Sequence, residues 1–186
     1  MISLNLAYRH PLDGTLSGFE TRAKNADHLV VVRRPAIFSV MAHAGHEAAI
    51  LTALGNMADV SVRSCGPAEW FLVSDTATAD SVGRDLAALG AKRASFVEQS
   101  DSRVVLRVAG PNMRKILAKC VAVDLHADVF AEGQSANMLC CHVSCNVSRT
   151  GPDVFEILVP RSYISTVFAE LLEMGREFGL RCGFAG

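Results

Sequence analysis

Aromatic residues are scarce in this chain. There are one Trp and two Tyr in 186 residues, so the core must be built mainly from Val, Leu, Ile, Ala and Met. An excess of charge of either sign is also missing. A formal charge of -1 removes any general electrostatic pull toward nucleic acid or an anionic membrane. No apolar run approaches the length that spans a bilayer, and the opening MISLNLAYRHPLDG carries no hydrophobic signal region. The cytoplasm is the expected location. The chain contains no G-x-G-x-x-G, no G-x-x-x-x-G-K-[ST] and no G-x-S-x-G, so nucleotide binding through a standard loop and a nucleophile elbow are unsupported.

What is present describes a globular protein. Half of the residues are apolar, and the length suits one domain or two small, closely packed halves with a substantial core. The mean hydropathy of +0.26 is high for a soluble monomer and favours some apolar surface being covered by another chain.

Residues 1–27 are polar, broken by Pro11, Gly14 and Gly18, and read as an extended arm able to order on a partner. Beyond the arm, residues 28–186 form one α+β domain of two pseudo-repeats, about 28–98 and 99–186. In the first, strands are expected at 29–34, 37–42, 60–64, 70–74 and 92–98. Helices are expected at 45–55 and 76–89, the latter from Val82, Leu86 and Leu89 at i, i+4, i+7 with Gly90 past its end. The second opens with a strand at 104–108. Pro111 follows at a first helical turn, where its missing N–H costs nothing, and Met113, Ile116, Leu117 and Cys120 make one buried stripe. Residues 136–148 and 154–159 form a hairpin across Thr150, Gly151 and Pro152. In the last helix Ser162 is the expected N-cap, Ile164, Val167, Phe168, Leu171, Leu172 and Phe178 line the apolar face, and Gly179 ends it. Each half therefore reads strand–helix–strand–strand–helix, the pattern of a duplicated unit.

The six cysteines invite a metal reading, with Cys140, Cys141, His142 and Cys145 close in sequence. Strict alternation along 139–148 instead predicts one continuous half-buried strand, placing Cys141 and Cys145 on its apolar face about 13 Å apart. Zinc thiolates approach to about 4 Å, so these sulfurs are expected to be small core groups, and reduced in a cytosolic protein. His43 and His46 flank Gly45 without the second helical His of a zincin, which suits loop hydrogen bonding. In Asp124-Leu125-His126-Ala127-Asp128 two carboxylates on one face of an extended segment would raise the imidazole's pKa. An Asx-turn orienting the loop is the favoured reading. Gly110-Pro111 only superficially resembles a phosphate-cradling turn, and Arg33-Arg34 and Arg114-Lys115 read as solvated surface charge. No catalytic, cofactor-binding or metal-ligating set is predicted in this chain.

The runs EQSDSRVVLRVAGPNMRKILAKCVAVDLHADVF (98–130), GPAEWFLVS (66–74) and VFEILVPRSYISTVFAELLEMGREFG (154–179) resemble the gamma subunit of heterotetrameric sarcosine oxidase. Arg9-His10-Pro11-Leu12 is similar to that family's Arg-Ser-Pro-Leu opening. The match runs in order over nearly the whole chain, departing at Ala127, where the family often has Pro, and in the cysteine-rich 140–145. The resemblance implies a noncatalytic assembly subunit of a complex that oxidises sarcosine to glycine with release of peroxide, the one-carbon unit passing to tetrahydrofolate. FAD, FMN, NAD and zinc are then expected on the partners, which are alpha, beta and delta subunits. Expected partner contacts are Arg9, Pro11 and Leu12 in the arm, Asp124 and His126 in the loop, and Arg161. The implied fold is similar to the tetrahydrofolate-binding domain of the glycine-cleavage T-protein. Those relatives carry a Gly-Gly-x-x-Asp-Asp hairpin, whereas Cys145–Pro152 offers no acidic pair. The alternative is a stand-alone tetrahydrofolate-binding factor, but its Lys-Gly-Cys-x-Gly motif finds only a poor echo in Ala118-Lys119-Cys120-Val121-Ala122.

Overall fold

The computed structural model describes residues 8–16 and 26–185. Its elements are β1 (His28–Val31), β2 (Ala36–Ala42), α1 (Glu47–Gly55), β3 (Ser61–Gly66), β4 (Glu69–Ser74), α2 (Ala79–Ala88) and β5 (Ala94–Glu98). They continue with β6 (Arg103–Ala109), α3 (Met113–Leu117), β7 (Ser135–Cys140), β8 (Val143–Gly151), β9 (Val154–Pro160), α4 (Ile164–Gly175) and β10 (Arg181–Phe184).

Two sheets result. β2 to β5 make a four-stranded sheet in the order β3-β4-β2-β5, and the remaining strands make a six-stranded sheet in the order β10-β1-β6-β9-β8-β7. The fold is α+β; β2-α1-β3-β4-α2 follows the expected strand–helix–strand–strand–helix order, and β6-α3-β7-β8-β9-α4 carries one strand more. β1, grouped with the first half by its position in the chain, pairs instead within the second sheet, between β6 and β10.

Alternation decides the layers. Phe38, Val40, Trp70 and Leu72 point to one face of the four-stranded sheet and pack with Ile50 and Leu54 of α1 and Val82 and Leu86 of α2. Leu106, Val108, Phe155 and Ile157 do the same on the larger sheet, against α3 and α4. The opposite faces meet each other through Ile37, Phe71, Val73, Val105 and Leu158. Such burial of alternate positions on two faces is what holds a layered domain together, at about 25 cal/mol per Å² of apolar surface.

Caps and turns refine the expected boundaries. Thr78 accepts the Ser81 N–H at 3.2 Å and starts α2, which sets that helix three residues later than its apolar period suggested. Ser162 is no cap: Arg161–Tyr163 form a 3₁₀ turn that leads into α4, and Tyr163 takes the N-cap position without a side-chain bond. The expected continuous strand 136–148 is broken. Cys141 (φ 49°) and His142 (φ 64°) make a two-residue turn between β7 and β8, as a tight hairpin requires of both central residues. The turn reverses the alternation, so Cys140 and Cys145 are the buried pair while Cys141 is half-buried at the tip.

Candidate functional site at the junction of the two sheets

The layer between the sheets is not dry. Arg63 on β3 is 1% exposed and Glu156 on β9 4%, and the Arg63 Nη2 donates to Glu156 Oε2. Arg107 Nε on β6 donates to the other oxygen, Oε1, at 2.6 Å, and Arg107 Nη2 reaches Asp75 Oδ2 at 2.8 Å. The result is a chain of alternating sign that joins residues from both sheets. Beside it lies a cleft of about 360 Å³, lined among others by Ser61, Ser74, Thr76 and Thr150.

Each charge answers another. Burial pulls the Arg63 guanidinium below its ordinary pKa, and Glu156 opposes the fall. Desolvation lowers Arg107, but the pairs with Asp75 and Glu156 more than reverse it. The Arg107 hydrogen bond holds Asp75 below the usual carboxylate range, so it stays ionised near neutrality and is no proton donor. Among the described residues that line the cleft there is no His, Cys or Lys. What the arrangement does is clamp two sheets together. Its loose end is Arg63 Nη1, buried with no partner among the described residues.

A second set of polar bonds ties the sheets at one edge. Asn146 Nδ2 donates to the Ser64 carbonyl at 2.8 Å and Asn137 Nδ2 to the Cys65 carbonyl at 2.6 Å. These ties were invisible in the sequence, where Arg63, Asn146 and Glu156 occupy ordinary polar places in alternating strands. The one available signal was VFEILV, whose residues 155–159 are buried on both faces, as in a central strand covered on two sides.

None of the six sequence-predicted contact residues lines the cleft. Arg161 Nη2 donates to the Arg9 carbonyl at 2.7 Å, so these two meet. Residues 8–16 fold as a docked turn; the rest of the expected arm, 1–7 and 17–25, lies outside the described residues. Leu12 requires a correction. It is 1% exposed within this chain's own core and is not available to a partner, while Pro11 is half-buried. Its neighbour His10 accepts the Leu12 N–H on Nδ1 at 3.2 Å and stands edge-on to Phe184. Desolvation by burial lowers its pKa to about 4; Asp13 opposes the fall, and Arg161 and Arg33 add to it.

The Asp124–Asp128 loop is an Asx-turn. Asp124 Oδ1 accepts the His126 N–H at 2.8 Å, and both side chains face solvent. Arg114 is not merely solvated charge: it donates to the Leu125 carbonyl at 2.6 Å and pairs with Asp153 at 3.2 Å, holding this loop to the β8–β9 turn. Arg33 likewise pairs with Asp13 and lies over the Phe184 ring. His43 bonds the Lys92 carbonyl and Ser95 Oγ, the loop role expected of it. The Gly110-Pro111 turn is filled from within, because Asp27 Oδ1 accepts the Asn112 N–H at 2.8 Å.

Comparison with known proteins places this geometry. The sequence model of the GCVT N-terminal domain matches residues 48–185. An aminomethyltransferase of Thermoanaerobacter pseudethanolicus is 35% identical over 85 residues, 44% of this chain and 23% of that protein. One from Caldanaerobacter subterraneus subsp. tengcongensis is 34% identical over the same length, 22% of that protein. The matches thus span about a quarter of these relatives. Among solved structures, a heterotetrameric sarcosine oxidase from Corynebacterium sp. U-96 superposes with a TM-score of 0.78 at 22% identity, over 92% of this chain and 96% of the matched one. The glycine cleavage system aminomethyltransferase T of Bartonella henselae gives 0.61 at 14% identity, over 86% of this chain and 48% of that one. These likenesses establish the fold.

Proposed function

From the premise that the chain belongs to the GCVT N-terminal domain family, we propose that it serves as a gamma-type, noncatalytic assembly subunit of a sarcosine-oxidase-type complex. The observation that carries this reading is the end-to-end fit. The chain covers 92% of itself and 96% of one chain of a heterotetramer, but only 48% of a T-protein. Its own chemistry agrees. The charges between the sheets are mutually neutralised, and Asp153, the carboxylate of the β8–β9 turn, is engaged by Arg114. The residues present do not supply the acidic pair that would steer a tetrahydrofolate, so no step of one-carbon chemistry is assigned here. FAD, FMN, NAD and zinc would belong to the alpha, beta and delta partners.

Contact to the partners falls on Arg9, Arg161, Asp124 and His126. Exposed Val123 and Val129 beside the Asx-turn, at 44% and 59%, add apolar surface of the kind an interface covers. The test is co-expression of a tagged chain with its neighbouring genes. A flavin-bearing partner should co-purify, and His126→Ala with Val129→Ser should weaken capture while leaving the isolated fold unchanged, both side chains being exposed. Isolation of the tagged chain alone from every such co-expression would overturn the proposal. Calorimetry with tetrahydrofolate addresses the stand-alone factor, which the curated aminomethyltransferase relatives favour: stoichiometric binding to the isolated chain would establish that alternative.

A further inference from the structure

Three cysteines lie together where the segment after α3 meets the β7–β8 turn. The Cys120 carbonyl accepts the Cys141 N–H at 2.8 Å, and Val121 pairs with Cys140 as an isolated antiparallel bridge. Continuing that register sets Cys120 opposite Cys141. Opposed antiparallel residues have Cα atoms about 4.5–5.5 Å apart, inside the range of about 4.4–6.8 Å that a disulfide spans. The Cys120 thiol itself donates to the Ile116 carbonyl at 3.5 Å.

The three sulfurs are not equivalent. Cys120 and Cys140 are buried, as is the nearby Cys145, whereas Cys141 is half-buried on a turn beside exposed His142. The neighbouring Cys120 and Cys140 thiols pull the Cys141 pKa down, with burial opposing and His142 helping. Proximity to Cys141, together with burial, pushes Cys120 and Cys140 up. The thiolate is the nucleophilic form of cysteine, and Cys141 is the sulfur of the three that solvent and small oxidants can reach.

We propose that Cys141 and Cys120 form a dithiol site oxidised by hydroperoxides to a disulfide that fastens the β7–β8 turn to the end of α3. The Cys141 thiolate attacks one peroxide oxygen. The O–O bond breaks, the sulfur becomes a sulfenic acid, and the departing hydroxide or alkoxide takes a proton from solvent. The Cys120 sulfur then attacks the sulfenic sulfur; the S–S bond forms, the S–O bond breaks, and the Cys120 proton leaves with the oxygen as water. Two thiols lose two electrons and the hydroperoxide gains them. Cys120 resolves the intermediate in preference to Cys140, because a Cys140–Cys141 bond would close a small strained ring around one peptide unit. The site stands independently of the assembly proposed above.

The experiment uses the purified full chain, reduced, freed of reductant and treated with hydrogen peroxide. After alkylation in denaturant, trypsin and a glutamyl protease cut following Lys119, Glu132 and Arg149, placing Cys120 and Cys141 on separate peptides, 120–132 and 133–149. Mass spectrometry should show these peptides joined with loss of two hydrogens, and parted by reductant. The joined species should vanish in Cys141→Ser and persist in Cys145→Ser. A brief pulse of iodoacetamide on the native reduced chain should label Cys141 at least about tenfold faster than Cys120 or Cys140. Complete alkylation of Cys120 after peroxide in the unmodified chain, which needs no variant to fold, would overturn the proposal. So would a cross-link that survives Cys141→Ser, or equal labelling rates for the three thiols.

Discussion

Arg63 and Glu156 meet inside the protein from strands that belong to different sheets, and each is almost fully shielded from solvent. Removing one member leaves a buried charge with less to answer it. Arg63→Met should therefore cost about 3–5 kcal/mol in urea unfolding, the range for breaking a buried ion pair from one side. The double variant Arg63→Met/Glu156→Leu should lose less than Arg63→Met alone, since Arg107 keeps Asp75. A double variant at least as unstable as the single one would show that the pair is not acting as a clamp.

Gly110 takes a φ of 139°, and a Cβ there would stand 2.5 Å from Asp27 Oδ1 and 2.6 Å from the Asp27 Cα. Gly110→Ala would break the carboxylate's hold on the start of α3. The expected loss is at least about 2 kcal/mol, from strain and the displaced backbone. Gly133 also has a positive φ but open space around it, so Gly133→Ala should cost only about 1 kcal/mol. Paired thermal melts read the difference.

His10 supplies a pH dependence of known sign. Its folded-state pKa lies near 4 against 6.5 for the free side chain, so the unfolded chain binds more protons between those values. The stability it contributes is complete above about pH 6.5 and is lost as pH falls toward 4. His10→Asn, which keeps an acceptor for the Leu12 N–H, should flatten the melting temperature across this window. An unchanged slope in the variant would assign the dependence to other groups.

Arg149 is 7% exposed and its guanidinium reaches the carbonyls of Phe130, Gly151 and Pro152 at 2.9–3.1 Å. A lysine cannot fork to three acceptors. Arg149→Lys should cost about 2 kcal/mol, the value of charged hydrogen bonds lost to buried acceptors. Arg84→Lys on the exposed side of α2 should cost almost nothing by the same denaturant measurement.

Much of the fold could be read along the chain because its apolar periods are undisturbed. The stripe of Met113, Ile116, Leu117 and Cys120 is buried as expected, although the regular helix stops at Leu117. The turn at Cys141-His142 was illegible for a definite reason. Hairpins normally announce positive φ with Asn or Gly, and here two side chains of neither kind accept that backbone, so an alternation that in fact reverses looked unbroken. The clamp was hidden by a different ambiguity. A polar residue on a strand reports only that its face is not purely apolar, and the pattern is the same whether water or a second sheet's carboxylate lies opposite.

The placement of β1 has a consequence for biosynthesis. β2 to β5 can pair fully among themselves once Glu98 has emerged from the ribosome, so the smaller sheet is complete early in translation. The larger one is not, because β10 borders only β1. Residues 28–31 must wait, with one hydrogen-bonding edge unmet, until Phe184 has been made. Over that interval the nascent chain carries an open strand edge, and a partner or chaperone that shields it would raise the yield of folded protein without touching the finished molecule.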